Sequence, residues 1–535
     1  MKPLNMKKLI TFFLISFLTA VTVSTVYAQP QNARIKFDTD RVIGEVDKNI
    51  YGNFVEHLGR CVYGGIYEPG NPLSDANGFR KDVLEAVKGL NIPLIRYPGG
   101  NFVSNYHWQD GIGPKNQRIP RMELAWHRLE TNEFGTDEFI KYCRAVGTEP
   151  YLSVNMGTGT ILDAQQWVEY CNVKDGPYFA ELRKKNGFPE PHNVKYWSLG
   201  NEMDGFWQMG ALSAEDYVKK AREAAKLMRL TSPDIKIIGA GSSNYRPTAD
   251  PDHWNRVIIS ELADVIDYIA LHIYVGNTGN NYYNFLSTPR VMEQRTQVVK
   301  GMITEAMSKP NRDNTKPIYI AWDEYNVWYR ARTTEAMKGI RALEEKYNLE
   351  DALVIGGFLN VFIRNADIIK MANMAQLVNV IAPIWSEEKG MYKQTIYYPL
   401  ELFAKNMHGT ALDVFVDCDK YDTPEFSIGF GELTSKQTGV PYLDVSAVYK
   451  DGQVVMCVIN RHKDNAIKTD VICQTGQYAG PVKVFEVNGP DIKSMNDFGV
   501  DNVRTVAKPD LNAKGTSLTY SFPPHSLTML IARVK

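Results

Sequence analysis

The sequence predicts a (β/α)8 TIM barrel followed by a C-terminal all-β sandwich of jelly-roll type. Three observations carry the prediction. Seven short apolar runs alternate with helix-like segments through the first two thirds of the chain, the pattern of a parallel sheet. From about His408 helical spacing stops, and short strand-like runs with turn residues between them take over. Two of the apolar runs lead into glutamates, Glu202 and Glu324, far apart in the chain. A parallel barrel is the fold that brings such strand ends to one face.

Residues 1–28 read as a secretory signal. Lys2, Lys7 and Lys8 precede an apolar stretch from Leu9 to about Val23, and Val26-Tyr27-Ala28 supplies the cleavage pattern before Gln29. The stretch is short for a membrane span and contains Thr and Ser, so cleavage is expected rather than anchoring. The mature protein is then expected in the periplasm or outside the cell, with no membrane attachment. Residues 29–47 alternate weakly and read as one or two strands. A barrel has no use for them, so they are assigned to the sandwich.

Residues 48–408 are assigned to the barrel. Its strands are expected at 51–55, 92–97, 150–155, 194–199, 235–240, 265–272 and 317–322. The eighth lies somewhere in 353–385, an apolar region where helix and strand cannot be separated by pattern. Helices are expected at 81–90, 136–146 and 214–230, the last with Ser213 as N-cap and Asp216 three residues on. Residues 409–535 are assigned to the sandwich, with strands at 442–449, 453–460, 466–473, 482–487, 517–522 and 526–534.

Composition excludes several classes. The chain has 535 residues, 44% hydrophobic and 23% charged, with a formal net charge of −1. No basic excess points to nucleic acid, and no phosphate-cradling or zinc-type motif points to a cofactor or metal. The six cysteines show no disulfide framework. Buried thiols are expected, with a Cys457–Cys473 pair as the alternative.

Polar groups gather where the predicted strands end: Glu56-His57, Arg96 to Asn101, Asn155, Asn201-Glu202, His272-Ile273-Tyr274 and Glu324. Taken singly, each has an ordinary structural reading. A strand-end asparagine caps a turn, a lone histidine is a satisfied core group, and Trp108, Trp207, Trp254 and Trp328 pack. Together, six such strand ends are hard to explain as core filler. An arginine ending a buried strand, as Arg96 does, needs a buried acid. Two carboxylates among hydroxyl-binding and aromatic residues suit glycoside hydrolysis, in which one acid protonates the leaving oxygen and the other attacks carbon or activates water.

Several segments resemble glycoside hydrolase family 51: Glu56-His57-Leu58-Gly59-Arg60, Ile95-Arg96-Tyr97-Pro98-Gly99-Gly100-Asn101, Leu199-Gly200-Asn201-Glu202-Met203-Asp204-Gly205 and Gln376-Leu377-Val378-Asn379. The resemblance runs from about residue 35 to the C-terminus and is densest in the barrel. It implies an α-L-arabinofuranosidase with Glu202 as acid/base and Glu324, in Asp323-Glu324-Tyr325-Asn326, as nucleophile. Tyr325 stands where the family commonly has Trp, and Ile273 where related members have Gln. The resemblance further implies a sugar pocket built from Glu56, Asn101, Asn201, His272, Tyr274, Gln376 and Trp126, with Arg96 paired to the nucleophile. It implies no cofactor, an arabinose-containing oligo- or polysaccharide as substrate, and a homo-oligomer. The runner-up is a relative cleaving β-linked glucan or xylan. A non-catalytic carbohydrate-binding protein would have no need of both glutamates.

Overall fold

The computed structural model describes residues 32–310, 316–513 and 515–535. The proposed signal segment lies outside them. Eight parallel strands close a barrel in chain order: Gly52–Phe54, Leu94–Tyr97, Glu149–Ser153, Tyr196–Leu199, Lys236–Ala240, Tyr268–Val275, Tyr319–Val327 and Ile369–Ala375. All seven expected strands are present, and the eighth falls inside the ambiguous region. The three expected helices form at Lys81–Gly89, Thr136–Val146 and Ala214–Thr231. Ser213 caps the last of these by accepting the Asp216 N–H.

The ambiguous region resolves into a helix and the eighth strand. Helix Leu349–Arg364 is buried on almost every face, so it carries no amphipathic stripe. It lies between the barrel and the sandwich, touching strands Leu443–Lys450, Gln453–Asn460 and Ser526–Arg533. Two of its residues must be small. A Cβ on Gly356 would lie 2.5 Å from Leu527, and one on Gly357 2.6 Å from Pro289. The same helix ends at Arg364, which joins Arg461 in holding the buried carboxylate of Asp444 across the domain boundary.

Strands six and seven run further than expected, to Val275 and Val327, so Tyr274 and Glu324 lie inside strands rather than beyond them. The cause is a bulge. Leu271 pairs with Trp322, but His272 pairs with Glu324, leaving Asp323 as the extra residue. A bulge re-aims the side chains beyond it. Here it lets two consecutive acids, Asp323 and Glu324, reach the same arginine.

The last barrel helix, Tyr397–Asn406, is followed by the sandwich. One sheet has seven strands and the other four. The N-terminal strands complete both. Ala33–Phe37 lies between Phe415–Asp417 and Ile467–Cys473, while Val42–Glu45 edges the larger sheet beside Thr410–Leu412. Ile35, Phe37, Val458, Val471 and Phe522 meet in the core between the sheets. Strand Arg504–Asn512, at the other edge, carries no apolar alternation and was not expected from the sequence. All six cysteines are unpaired, Cys457 and Cys473 belonging to different sheets. No helix among the described residues is long and apolar enough to cross a membrane.

Candidate active site

Arg96, on the second strand, is fully buried beneath the ring of barrel strand ends. Its guanidinium lies over the Phe54 ring, 4.6 Å from the centroid. Every edge of it is used. Nη1 donates to Glu324 Oε1 at 2.6 Å, Nη2 donates to Asn201 Oδ1 at 2.6 Å, and Nε lies 3.1 Å from Asp323 Oδ2. Asp323 is held in turn by the Tyr151 hydroxyl and the Asn373 amide, at 2.9 and 2.7 Å.

Glu324 receives a second anchor on its other oxygen, where the Tyr274 hydroxyl donates at 2.7 Å. Glu202 arrives from the fourth strand through Gly200, whose φ of +90° suits glycine and where a Cβ would lie 2.8 Å from the Met156 side chain. Its Oε1 lies 3.0 Å from His272 Nδ1, and its Oε2 accepts the Trp207 indole N–H at 2.5 Å. His272 Nδ1 is also 3.7 Å from Glu324 Oε2. One oxygen of each glutamate and the His272 nitrogen fall within 4.8 Å of one another.

These surroundings drive the two glutamates apart. Burial, reinforced by the charge of Glu324, raises the Glu202 carboxyl above the usual glutamate value despite hydrogen bonds from His272 and Trp207. At Glu324 burial pushes up as well, but the charges of His272 and Arg96 and the Tyr274 hydroxyl outweigh it and hold the carboxyl low. His272 is raised, the two flanking carboxylates overcoming its burial.

Above this layer is a pocket of about 460 Å3. On one side Glu56 accepts the Phe102 N–H, the Trp126 indole and the Gln376 amide, each at 3.0 Å. Burial lifts the Glu56 carboxyl to about 8. On the side of Glu202 the pocket is bounded by Phe206, Trp207, Arg246 and Phe430.

The comparisons with known proteins agree with this geometry. Residues 86–290 match the family model of the α-L-arabinofuranosidase 1 domain, and residues 323–526 that of the α-L-arabinofuranosidase C-terminal domain. The α-L-arabinofuranosidase C of Emericella nidulans is 42% identical over 525 residues, covering 95% of this chain and 99% of that one. An intracellular exo-α-(1→5)-L-arabinofuranosidase of Halalkalibacterium halodurans is 42% identical over 81% of this chain and 86% of its own. The family 51 enzyme of Thermotoga petrophila superposes with a TM-score of 0.85 at 40% identity, covering 93% of this chain and 99% of that one. The chain belongs to glycoside hydrolase family 51.

Of the residues expected at a family 51 site, Glu56, Asn101, Trp126, Glu202, His272, Tyr274, Glu324 and Gln376 all line the pocket. Arg96 and Asn201 do not. Both are buried, Asn201 between Arg96 and Gln208. Trp207 and Trp328 reach the pocket, whereas Trp108 stacks on Trp167 and Trp254 bonds the Ala240 carbonyl, as packing residues do. Among the lining residues that gave no sequence signal are Phe206, Arg246, Phe430 and Glu432. The last two come from a hairpin pairing Phe426–Gly429 with Glu432–Thr434, beyond the barrel in sequence, whose Ile428 carbonyl accepts the Gly276 N–H at 2.8 Å.

Glu202, His272 and Glu324 have the spacing of a metal site. Their lone pairs and protons are already committed to one another, to Trp207, Tyr274 and the Arg96 cation, so a divalent ion does not fit this donor set.

Removing the Arg96 charge isolates two buried carboxylates. Arg96→Met should therefore lower stability at pH 7 by roughly 3–5 kcal/mol. In the wild type the depressed Glu324 contributes stability that is present above its unfolded value and lost as pH falls. In the variant the same carboxyl keeps His272 and Tyr274 but loses one of the charges that hold it low, so less stability is lost on its protonation. The deficit should shrink as pH falls below about 4.5, seen as converging thermal midpoints. A deficit independent of pH would contradict this arrangement of charges.

Proposed function

We propose that the protein is a retaining exo-α-L-arabinofuranosidase that releases terminal non-reducing α-L-arabinofuranosyl residues from arabinan, arabinoxylan or their oligosaccharides. One observation carries the mechanism: two pocket carboxylates approach within 4.8 Å with opposite displacements of acidity. Retaining enzymes hold their carboxyl groups about 5–5.5 Å apart, while inverting enzymes need about 6.5–9.5 Å to admit water. The sugar assignment rests on relatives. One is described as exo-acting on α-(1→5)-linked L-arabinofuranose, and the Thermotoga maritima neighbour, 39% identical with a TM-score of 0.86, is an arabinose complex.

In this reading Glu324, ionised and oriented by Arg96 and Tyr274, attacks the anomeric carbon. Glu202, protonated, delivers its proton to the departing glycosidic oxygen. The glycosyl-enzyme ester removes the Glu324 charge that raised Glu202. Glu202 becomes more acidic, takes a proton from water, and the resulting hydroxide opens the ester. Glu56, Asn101 and Gln376 bind the sugar hydroxyls, with Trp126 closing over the ring, while Asn201 acts from beneath by fixing Arg96. Glu56 bears its own proton at neutral pH, so it can donate to one hydroxyl while accepting from protein groups.

We further propose that the chain acts after export. N-terminal sequencing of the secreted protein should give Gln29 or a residue within a few positions of it. Intact Met1 in the membrane fraction would instead mean an anchored enzyme.

The assignment of Glu202 is tested by its alanine variant. Dinitrophenolate leaves without a proton, so Glu202→Ala should form the glycosyl-enzyme from the dinitrophenyl glycoside at a nearly normal rate and then stall. Natural oligosaccharides should lose roughly 10²–10⁴-fold or more. Azide, which needs no base, should restore turnover and yield the α-arabinofuranosyl azide. Equal losses on both substrates, or an azide of inverted configuration, would remove Glu202 from this role.

A further inference from the structure

Arg246 stands out among the groups at the pocket mouth. It lines the pocket, yet among the described residues no carboxylate pairs with it. Its Nε donates to the Phe430 carbonyl at 2.7 Å, and its buried Nη1 has no partner. Two aromatic rings pack against it. The guanidinium carbon lies 5.0 Å from the Phe206 centroid and 4.7 Å from that of Trp207. A second guanidinium, Arg332, lies 3.5 Å from the Phe430 ring with its Nε and Nη2 buried and unpartnered. The nearby acid that lines the pocket, Glu432, is taken by Arg295 at 2.9 Å. Of Arg246 and Arg332, Arg246 alone lines the pocket, and it does so without a carboxylate bonded to it.

The position decides what this charge meets. The Trp207 indole that faces Arg246 donates to Glu202 Oε2, so Arg246 is one ring away from the proposed acid. The partners of Glu56 are other groups, Phe102, Trp126 and Gln376, and in the proposed reading that part of the pocket receives the arabinose. Groups on the Glu202 side face the sugar that departs. Phe206, 77% exposed, offers that sugar an apolar ring surface.

We propose that Arg246, set against the edge-to-face pair of Phe206 and Trp207, makes the leaving-group subsite selective for a carboxylate-bearing sugar, a uronic acid next to the arabinofuranosyl linkage. With Nε taken by Phe430 and Nη1 buried, Nη2 is the group left to meet a carboxylate, a charge-assisted match that neutral hydroxyls do not reproduce. This deepens the functional reading above and rests on Glu202 being the acid on the leaving-group side.

The test uses an α-L-arabinofuranosyl-galacturonate disaccharide and its methyl ester, which has nearly the same shape without the charge. Wild-type enzyme should cleave the acid with a kcat/KM about tenfold or more above that of the ester, as one charge-assisted bond provides. The preference should fall as salt is raised. Arg246→Met and Arg246→Gln should bring the ratio close to one, with Arg246→Lys intermediate. A wild-type ratio near one, which needs no variant to fold, overturns the inference, as does a ratio unchanged by Arg246→Met. Nitrophenyl α-L-arabinofuranoside separates the two levels. Its turnover alongside a ratio near one overturns this inference alone, whereas its failure to turn over overturns the functional reading and this inference with it.

Discussion

The site depends on a single buried cation. Arg96 has no access to water, so its charge is tolerable only because acids and a polar amide occupy every edge of the guanidinium. That requirement organises the barrel around it. The bulge at Asp323 exists where two consecutive acids must both face the arginine. Tyr151 and Asn373 saturate Asp323, leaving Glu324 as the acid that projects into the pocket. Asn201, the fourth contact, fixes the segment whose next residue is Glu202. One arginine thus positions both glutamates from a layer beneath the pocket.

The division of labour between the glutamates follows from what each touches. Glu324 is held low because a cation and a phenol share its oxygens. Glu202 has no full cation bonded to it apart from the histidine it shares with Glu324, and burial dominates. The coupling is useful only if it can reverse. In the proposed mechanism, esterification of Glu324 removes the charge that opposes Glu202 ionisation, so the acid of the first step becomes the base of the second.

Much of this was legible in the sequence because buried parallel strands read as continuous apolar runs, and each was followed by residues too polar to be there without a purpose. Glu56, Asn101, Glu202, His272, Glu324 and Gln376 were named on that basis and on family resemblance, and they meet in one pocket. What could not be read has physical reasons. Helix Leu349–Arg364 lacks periodicity because neighbours bury it all round. The bulge at Asp323 leaves no composition signal, so the strand appeared to end before Glu324. Arg246 and Phe430 are separated by most of the chain's second half and meet only because a post-barrel hairpin docks on the barrel mouth. An arginine set against aromatic rings without an acid partner is a property of packing, not of local sequence.

The central claim is that Glu324, held ionised by Arg96, becomes covalently bonded to the sugar. The most direct measurement is peptide mass spectrometry after reaction with an activated fluorinated arabinofuranoside, whose slow deglycosylation lets the intermediate accumulate. The account predicts one pentosyl adduct, on the peptide containing Glu324. An adduct on another peptide, or no adduct with inversion at the anomeric carbon of the natural product, would contradict it.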